Sequence, residues 1–341
     1  MGLISFGNSS QSFALTYKVN GSIVFASSRD GNFEIYVMDS DGTNEAKLTN
    51  TATDEHSPAW SQNGTKIAFV RSGAVYLMDS DGKNVKKLTP GSLVSSDPAW
   101  SPDGTKIAFS ASKNGTDRDI YVIDSAGGKP KVITASSKLE DFEPSWSPDG
   151  SKIVLTSGTN ASNFGIFLMN ADGSERVSVT GNASGVHPSW SPDGEKIVFS
   201  ANRDKSYDIY TLYKNGTGLS RLTSGAQDES YPSWSPDSKK IVFTIARAEN
   251  NEQIYSIKSD GTEGHAQRLT DNSYRDLSPQ FQPLKSPVKE KFPILRENGL
   301  IAFTADIDGV SEIRVAASDG SNVTELGSIT GASDTMPRWS P

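Results

Sequence analysis

The chain has 341 residues, of which 35% are apolar and 22% charged, and it has no cysteine and a net charge of −8. This length suffices for a large core, while the lack of cysteine excludes disulfide bonds and thiolate metal sites. The acidic balance argues against a nucleic-acid partner, which needs a basic footprint, and no apolar run approaches the roughly 18 residues of a membrane span.

Taken from the N-terminus, the first predicted element is the β-branched run SIVFAS at 22–27, which follows an N-terminal extension of residues 1–20. Further along, polar turns separate β-branched runs such as KIAF from second apolar runs such as AVYLMD (74–79) and DIYVID (119–124). DG turns such as SDGTN then lead to a short closing LT, IT or VT. Because no longer stretch has a helical period, we expect an all-β chain.

One sequence motif recurs before these strands. The stretch PAWSPDGTKIAF (98–109) returns as PSWSPDGSKIVL, PSWSPDGEKIVF and PSWSPDSKKIVF. One position of the motif is aromatic in every copy, and it is occupied by Trp60, Trp100, Trp146, Trp190, Trp234, Phe281 and Trp339. In W-S-P-D-G the Ser and Asp can bond backbone N–H groups, Pro presets φ and Gly accepts a positive φ, so the motif predicts a tight turn between two strands.

Each repeat therefore predicts one four-stranded antiparallel sheet. Such a sheet cannot bury both of its faces alone, whereas a ring of sheets packed face to face around an axis can. We expect the aromatic residue to fill the space between neighbouring sheets, where burial of one large ring contributes roughly 2–3 kcal/mol. The residue before it is small in five copies, as in Ala59 and Ser145, which suits the crowded region near the axis.

The two ends of the chain complement each other. The first strand run, at 22–27, has no aromatic motif before it, and the last motif, PRWSP at 337–341, has no second strand after it. We therefore predict a seven-bladed β-propeller of four-stranded antiparallel blades, whose ring is closed by the C-terminal strand completing the first blade. In this interpretation residues 21–341 form a single domain, and blade 1 consists of 21–50 plus 337–341.

The pattern (D/E)-P-x-W-S-P-D-G-x-K-I-x-F, followed by D-I-Y-x-M-D-x-D-G and L-T, closely resembles the WD-repeat-like blades of TolB-like β-propellers. Similar blades occur in tricorn-type proteases and in the propellers of prolyl peptidases. The resemblance covers roughly residues 21–341, and five copies carry the Trp, the turn and the strand in register. TolB itself has six blades and an additional N-terminal α/β domain, so the seven blades predicted here depart from it.

Acidic residues recur in the loops that, in such a ring, lead to the innermost strands at the channel mouth. Five positions before the aromatic residue the chain has Glu55, Asp141, Glu229, Asp276 and Asp334, and two positions nearer to it Asp97, Glu143 and His187. This pattern predicts an acidic mouth that attracts a cation, a basic peptide or an amine. The alternative is that each carboxylate accepts backbone hydrogen bonds and shapes its own loop.

Two features interrupt the repeat. Gln280 and Arg338 replace the small residue before the aromatic one, in two blades that should be neighbours at the closure. Both are candidate binding residues, and Arg338 could either clamp a carboxylate or pair with the acidic mouth. In the seventh unit the insertion 282–299, rich in Lys and Pro, is either a binding surface on the opposite face or a solvated spacer.

No catalytic motif is present, since the chain has no G-x-S-x-G elbow, HExxH, P-loop or GxGxxG in a βαβ unit. We therefore predict no catalytic residue and no cofactor. The leading hypothesis is a monomeric, non-enzymatic binding or scaffold propeller that takes a protein, peptide or glycan, in the periplasm or outside the cell. The alternatives are a metal-assisted hydrolase or lyase with its site in the central channel, where carboxylates could hold calcium, and a sensor or gating domain of a larger protein.

Overall fold

A computed structural model describes most of the chain. The described residues are 22–27, 30–39, 44–113, 115, 117–135, 139–159, 163–181, 184–203, 205–247, 251–262, 264–270, 275–281, 300–307, 310–321, 323–325 and 334–339. The predicted N-terminal extension (1–20) and the predicted insertion (282–299) lie outside these residues, so both stay predictions.

The described part of the chain is built from β-strands. The first fourteen are β1 (Ser22–Ser27), β2 (Glu34–Asp39), β3 (Ala46–Lys47), β4 (Glu55–Trp60), β5 (Lys66–Arg71), β6 (Ala74–Asp79), β7 (Lys86–Lys87), β8 (Val94–Trp100), β9 (Lys106–Ser112), β10 (Asp119–Asp124), β11 (Lys131–Val132), β12 (Glu140–Trp146), β13 (Lys152–Gly158) and β14 (Gly165–Asn170). The others are β15 (Val177–Ser178), β16 (Ser184–Trp190), β17 (Lys196–Asn202), β18 (Tyr207–Tyr213), β19 (Ser220–Arg221), β20 (Glu229–Trp234), β21 (Lys240–Arg247), β22 (Asn251–Lys258), β23 (Gln267–Arg268), β24 (Arg275–Phe281), β25 (Ile301–Ile307), β26 (Val310–Ala316), β27 (Thr324–Glu325) and β28 (Asp334–Trp339).

The prediction of an all-β chain of four-stranded antiparallel sheets is confirmed. Individual strands also fall where the β-branched runs predict them: SIVFAS is β1, AVYLMD is β6 and DIYVID is β10. Among the described residues, the chain has no helix that could cross a membrane.

Within the described residues the strands form seven four-stranded sheets. Sheets 2 to 7 each take four strands that are consecutive in the chain, namely β4–β7, β8–β11, β12–β15, β16–β19, β20–β23 and β24–β27. Sheet 1 has the order β28-β1-β2-β3, so its first strand comes from the other end of the chain. β28 runs antiparallel to β1, with Arg338 opposite Val24 and Trp339 opposite Ile23.

The strands that carry the aromatic motif lie side by side from sheet to sheet. We call β4, β8, β12, β16, β20, β24 and β28 the inner strands. Each inner strand contacts the inner strand of the next sheet, and β28 contacts β4 as well as β24. The fourth strands, in contrast, are only two residues long, which limits the exposed edge available for pairing with another chain.

The hydrophobic core lies between neighbouring sheets. One buried cluster joins Phe69 of sheet 2 to Val24 and Ile35 of sheet 1. Another joins Phe25 of sheet 1 to Ile313 of sheet 7, so the first and last sheets of the chain are packed together. Seven such clusters are found in the described residues, one between each pair of adjacent sheets.

Three indole rings of the motif, those of Trp100, Trp146 and Trp234, connect adjacent sheets by hydrogen bonds, whereas the buried Nε1 atoms of Trp60 and Trp190 have no partner among the described residues. Trp100 Nε1 donates to the carbonyl oxygen of Ala59 (3.0 Å), and Trp146 Nε1 donates to that of Ala99 (3.1 Å). The acceptor is in each case the small residue before the preceding tryptophan. The N–H of a buried Trp usually finds a partner, and each of these bonds links two neighbouring inner strands.

Candidate functional site

Each inner strand carries a proline near its middle, and the strand bulges there. Proline has no N–H to donate to the ladder, so a sheet accepts it only at an edge or at a bulge. The register with the second strand of the sheet skips between Ser96 and Ala99 in β8 and between Phe142 and Ser145 in β12. The same skip occurs in β4, β16, β20 and β24, and the repeated proline explains it.

The residue before this proline has a left-handed backbone in five consecutive sheets. The φ angles lie between 51° and 56° at Ser57, Asp97, Glu143, His187 and Tyr231. For a residue with a Cβ this conformation costs about 1–2 kcal/mol, and such strain is concentrated at functional sites. We call these five residues the bulge row. The corresponding side chains of β24 and β28, Ser278 and Met336, are outside the described part of the chain.

Three members of the bulge row contact one another across three sheets. The carboxylate of Glu143 accepts a hydrogen bond from the backbone N–H of His187 at Oε2 (3.0 Å), and its Oε1 lies 3.5 Å from His187 Nε2. Thr156 Oγ1 also donates to Oε2 (2.8 Å). The imidazole of His187 packs against the ring of Tyr231, with 4.1 Å between the centroids. Tyr231 as a whole residue is nevertheless 40% exposed.

Burial determines whether the imidazole of His187 is charged. It lowers the pKa of His187 below its usual value, although the nearby Glu143 acts in the opposite direction. The imidazole is therefore mainly neutral at pH 7, and Glu143 supplies a negative charge at the surface of the inner strands.

Asp97 extends the acidic character of the bulge row to the third sheet. Its Oδ2 accepts hydrogen bonds from Ser96 Oγ (3.0 Å) and Ser110 Oγ (2.8 Å), and the residue is half-buried. Asp97 also acts electrostatically on His56 of the neighbouring sheet, whose Nδ1 lies 3.1 Å from Ser57 Oγ. The bulge row thus continues from sheet to sheet with hydroxyl and carboxylate groups.

The carboxylates two positions earlier in the repeat are buried and paired. Glu55 is fully buried and accepts a hydrogen bond from Arg71 Nε. Asp141 is also fully buried and takes a two-point contact from Arg176, with N–O distances of 2.9 and 2.6 Å. These side chains lie inside the protein, where Glu55 joins the inner strand β4 to the second strand β5, and Asp141 joins the inner strand β12 to the residue that precedes the fourth strand β15.

Glu229 and Asp276 occupy the same repeat position and are buried as well. Burial raises the pKa of Glu229 to about 7, a shift that the hydrogen bond from Thr223 opposes and the nearby Asp208 strengthens. Asp208 is in turn held by Arg221 (2.7 Å).

The remaining candidate residues can be located only by their backbone. Gln280 lies opposite Ala302 and Arg338 opposite Val24, whereas Asp334 lies opposite Ser27. Their side chains are outside the described part of the chain, so their role in binding stays a prediction. Among the described residues, no group of three His, Asp or Glu side chains is placed to hold a metal ion.

The sequence alone did not single out Ser57 and Tyr231 as candidate site residues. The signal that would have found them is the proline after each: a proline inside a predicted central strand requires a bulge, and the residue before it is the one displaced. Asp97, Glu143 and His187 were predicted for their charge, and the structure brings Glu143 and His187 into contact.

Comparison with known proteins places this architecture among propellers. The sequence profile of the TolB beta propeller domain matches residues 19–186 and 166–289. A search of curated protein sequences found no match. Among solved structures, TolB from Acinetobacter baumannii is similar with a TM-score of 0.58 and 21% identity, over 91% of this chain and 80% of that one.

Two enzymes share the fold at low sequence identity. An oligogalacturonate lyase from Vibrio parahaemolyticus superposes with a TM-score of 0.68 at 17% identity, over 86% of this chain and 85% of the lyase. A puromycin-hydrolyzing peptidase from Mycobacterium tuberculosis gives a TM-score of 0.69 at 14% identity, over 88% of this chain but only 49% of the peptidase. At such identities the likeness establishes the fold alone.

Proposed function

Because the chain belongs to the TolB beta propeller domain family, we propose that it is a non-enzymatic binding propeller whose partner sits on the inner strands. The partner is a protein or peptide that presents basic groups. The observation that carries this proposal is the bulge row, in which five consecutive sheets hold a non-glycine residue in a strained conformation at the same inner position.

The proposal includes a closed ring of seven blades formed by residues 21–341. Several contacts support it: β28 pairs with β1, β28 contacts β4, and a buried cluster joins sheet 7 to sheet 1. In a closed ring the inner strands surround a channel, so the bulge row would line that channel.

Charge decides the expected class of partner. The chain carries a net charge of −8, and the carboxylates of Asp97 and Glu143 are both half-buried rather than fully enclosed. Carboxylates within a concave surface focus their field and raise the local concentration of cations. A basic peptide segment therefore fits this surface better than an acidic one. Membership of the TolB propeller family favours a periplasmic or extracellular location for the encounter.

A peptide of four lysines is a suitable first probe for this proposal. We expect it to bind the wild-type protein in a calorimetric titration at low salt, and to bind more weakly to a double variant with Asp97→Asn and Glu143→Gln. The matched control is Glu195→Gln with Asp124→Asn, which removes the same charge from side chains that are 59% and 68% exposed elsewhere.

The two double variants separate a local site from a general charge effect. If only the first weakens binding, the partner is held at the bulge row. Equal affinity of the two variants would contradict the proposed site, since net charge alone would then account for the interaction.

A further inference from the structure

Two buried carboxylates meet at the boundary between sheets 1 and 2. Glu34 begins β2 and Glu55 begins β4, and both residues are buried. We call residues 48–54, which connect the two sheets, the linker. Thr51 of the linker donates to both carboxylates, since its backbone N–H lies 2.6 Å from Oε1 of Glu34 and its hydroxyl 3.1 Å from Oε1 of Glu55. The two carboxylates therefore hold the linker from both sides.

The charges around this pair do not balance. The charged groups that the described residues place around it are the carboxylates of Asp30, Glu34, Asp54 and Glu55 and the cations of Lys47 and Arg71. Arg71 donates from Nε to Oε1 of Glu55. Lys47 is held by Asp30 at 2.7 Å and lies 3.9 Å from Oε1 of Glu34. Four negative groups thus face two positive ones.

One oxygen of Glu55 lacks a donor. Its Oε2 is buried and has no hydrogen-bond partner among the described residues. The hydroxyl of Thr49 acts on both carboxylates, but it donates its single proton to Oε2 of Glu34 at 2.8 Å. An ionised oxygen without a donor is costly in the interior of a protein. A proton bound to Oε2 of Glu55 removes this cost.

The environment of Glu55 favours such a proton. Burial raises the pKa of its carboxyl, and the charge of Glu34 raises it further, against the opposing effects of Thr49 and Arg71. Like charges that share a buried site resist ionising together. Glu229 occupies the same repeat position at the boundary between sheets 5 and 6, where burial raises its pKa to about 7. The arrangement is therefore used at two boundaries of the protein.

We propose that Glu34 and Glu55 form a proton-operated switch, in which uptake of one proton by Glu55 on acidification tightens the linker and loss of this proton loosens it. The proton comes from solvent and binds to Oε2, and no other covalent bond changes. Because the folded state binds it more strongly than the unfolded chain, the linker is held most firmly at mildly acidic pH. Ser57 of the bulge row follows two residues after Glu55. The switch operates in the free protein and requires no partner.

Hydrogen–deuterium exchange followed by mass spectrometry tests the switch. The parent protein is the Glu229→Gln variant, which removes the other carboxyl whose pKa burial raises. After correction for the intrinsic pH dependence of exchange, peptides that cover the linker should exchange about threefold or more slowly at about pH 5.5 than at about pH 8. The internal control is the equivalent segment 88–94, because its boundary has Ala74 and Ser95 in place of the two glutamates.

Variants at the two glutamates give the second readout. Glu55→Gln carries a permanent hydrogen-bond donor and should keep exchange in the linker slow at both pH values. Glu34→Gln removes the like charge and should reduce the pH response. The matched control is Glu195→Gln, at a side chain that is 59% exposed, which should respond to pH as the parent does. Melting curves of each variant verify that it is folded.

Each outcome decides for or against the switch. A linker that responds to pH no more than segment 88–94 overturns it. If the response survives unchanged in Glu55→Gln, another group takes up the proton and the assignment to Glu55 is wrong. Should Glu55→Gln not fold, Glu34→Gln decides, since an unchanged response there shows that the paired charge is not the cause. Binding of tetralysine is measured separately, so failure of the switch and failure of the proposed function are distinguishable.

Discussion

The backbone N–H of His187 donates a hydrogen bond to Oε2 of Glu143, across the boundary between sheets 4 and 5. This contact depends on the left-handed conformation of both residues, whose φ angles are 56° and 55°. In a regular strand the N–H of His187 would belong to the ladder of its own sheet. The bulge frees it to hold the carboxylate of the neighbouring sheet.

Loss of the Thr156 hydroxyl, the other group that donates to Oε2 of Glu143, should weaken binding. Thr156→Val removes the hydroxyl that donates to Oε2 and leaves the carboxylate less well oriented. We expect the affinity for a basic peptide to fall about threefold or more, with a loss of about 1 kcal/mol in the free energy of unfolding. Calorimetric titration and chemical denaturation measure the two effects.

Thr244 provides the matched control for this prediction. It occupies the same repeat position in β21 and is equally buried, but its Oγ1 has no hydrogen-bond partner among the described residues. Thr244→Val should leave binding unchanged and should not lower stability, because it removes a buried hydroxyl that has no partner among the described residues. If the two variants behave alike, the hydroxyl of Thr156 does not orient Glu143.

The buried pair of Asp141 and Arg176 is predicted to be structural. Arg176→Met leaves the fully buried carboxylate of Asp141 without its cation and should destabilise the protein by about 3–5 kcal/mol. A double variant, Asp141→Leu with Arg176→Met, removes both charges and should recover much of this loss. Chemical denaturation of the three proteins measures the difference. No recovery in the double variant would show that the charge of Asp141 is not the cause.

Glu229 should make stability depend on pH near neutrality. Its pKa is raised to about 7 in the folded protein from the usual 4.5, so the folded state holds a proton that the unfolded chain releases. Between about pH 4.5 and pH 7 the folded state binds more protons, and stability falls as the pH rises through this range. Glu229→Gln should remove this part of the pH dependence and make the protein more stable at pH 8.

Denaturation of the wild type and of Glu229→Gln at pH 5, 6, 7 and 8 tests this sign. Asp208 raises the pKa of Glu229 and Arg221 lowers it, and the two residues form an ion pair with each other. Both are unchanged in the variant. The exposed Glu195→Gln serves as the control, which should keep the wild-type profile. A profile for Glu229→Gln parallel to the wild type would show that Glu229 is ionised over the whole range.

Removal of the last strand tests the proposed closure of the ring. A chain without residues 337–341 loses the pairing of Arg338 with Val24 and of Trp339 with Ile23. We expect the melting temperature to fall by about 5–10 °C, since sheet 1 loses half of β28 and part of its edge is left unpaired. Removal of residues 1–15, within the predicted extension, should have little effect. Equal melting of both truncated chains would argue against closure.

Much of the fold was readable from the repeat. β-Branched runs between DG and SPDG turns predicted the strands, and SIVFAS and DIYVID match β1 and β10 residue for residue. Local alternation and turn chemistry act over a few residues, and the repetition of the same signal removes the ambiguity that a single short strand would leave.

The direction of the acidic side chains was harder to predict. Glu55 and Ser57 are two residues apart, so a regular strand would place both on one face. The bulge at the proline changes the phase between them, and Glu55 is fully buried while Ser57 is half-buried. An assignment of side chains to faces that assumes a period of two therefore misses this shift, unless the proline is recognised as the cause of a bulge.

At the repeat position five residues before the aromatic one, the residue type also matches its partner in the neighbouring sheet. Glu55 follows a sheet whose third strand begins with Glu34, and both carboxylates are linked to Thr49. Where that strand begins with a small residue, as at Gly165, the next inner strand has Gly185 instead. These pairs lie about 20 residues apart in the chain, so only the packing of the sheets reveals that they vary together.

The central claim is that a basic partner binds on the inner strands, and hydrogen–deuterium exchange with and without the tetralysine peptide tests it most directly. We predict that the peptide slows exchange in β8, β12, β16 and β20, which carry the acidic and aromatic members of the bulge row. The fourth strands β11, β15 and β19 should exchange at the same rate with and without the peptide. Protection confined to the fourth strands or to the S-P-D-G turns would contradict the account, because the partner would then bind on a different face of the protein.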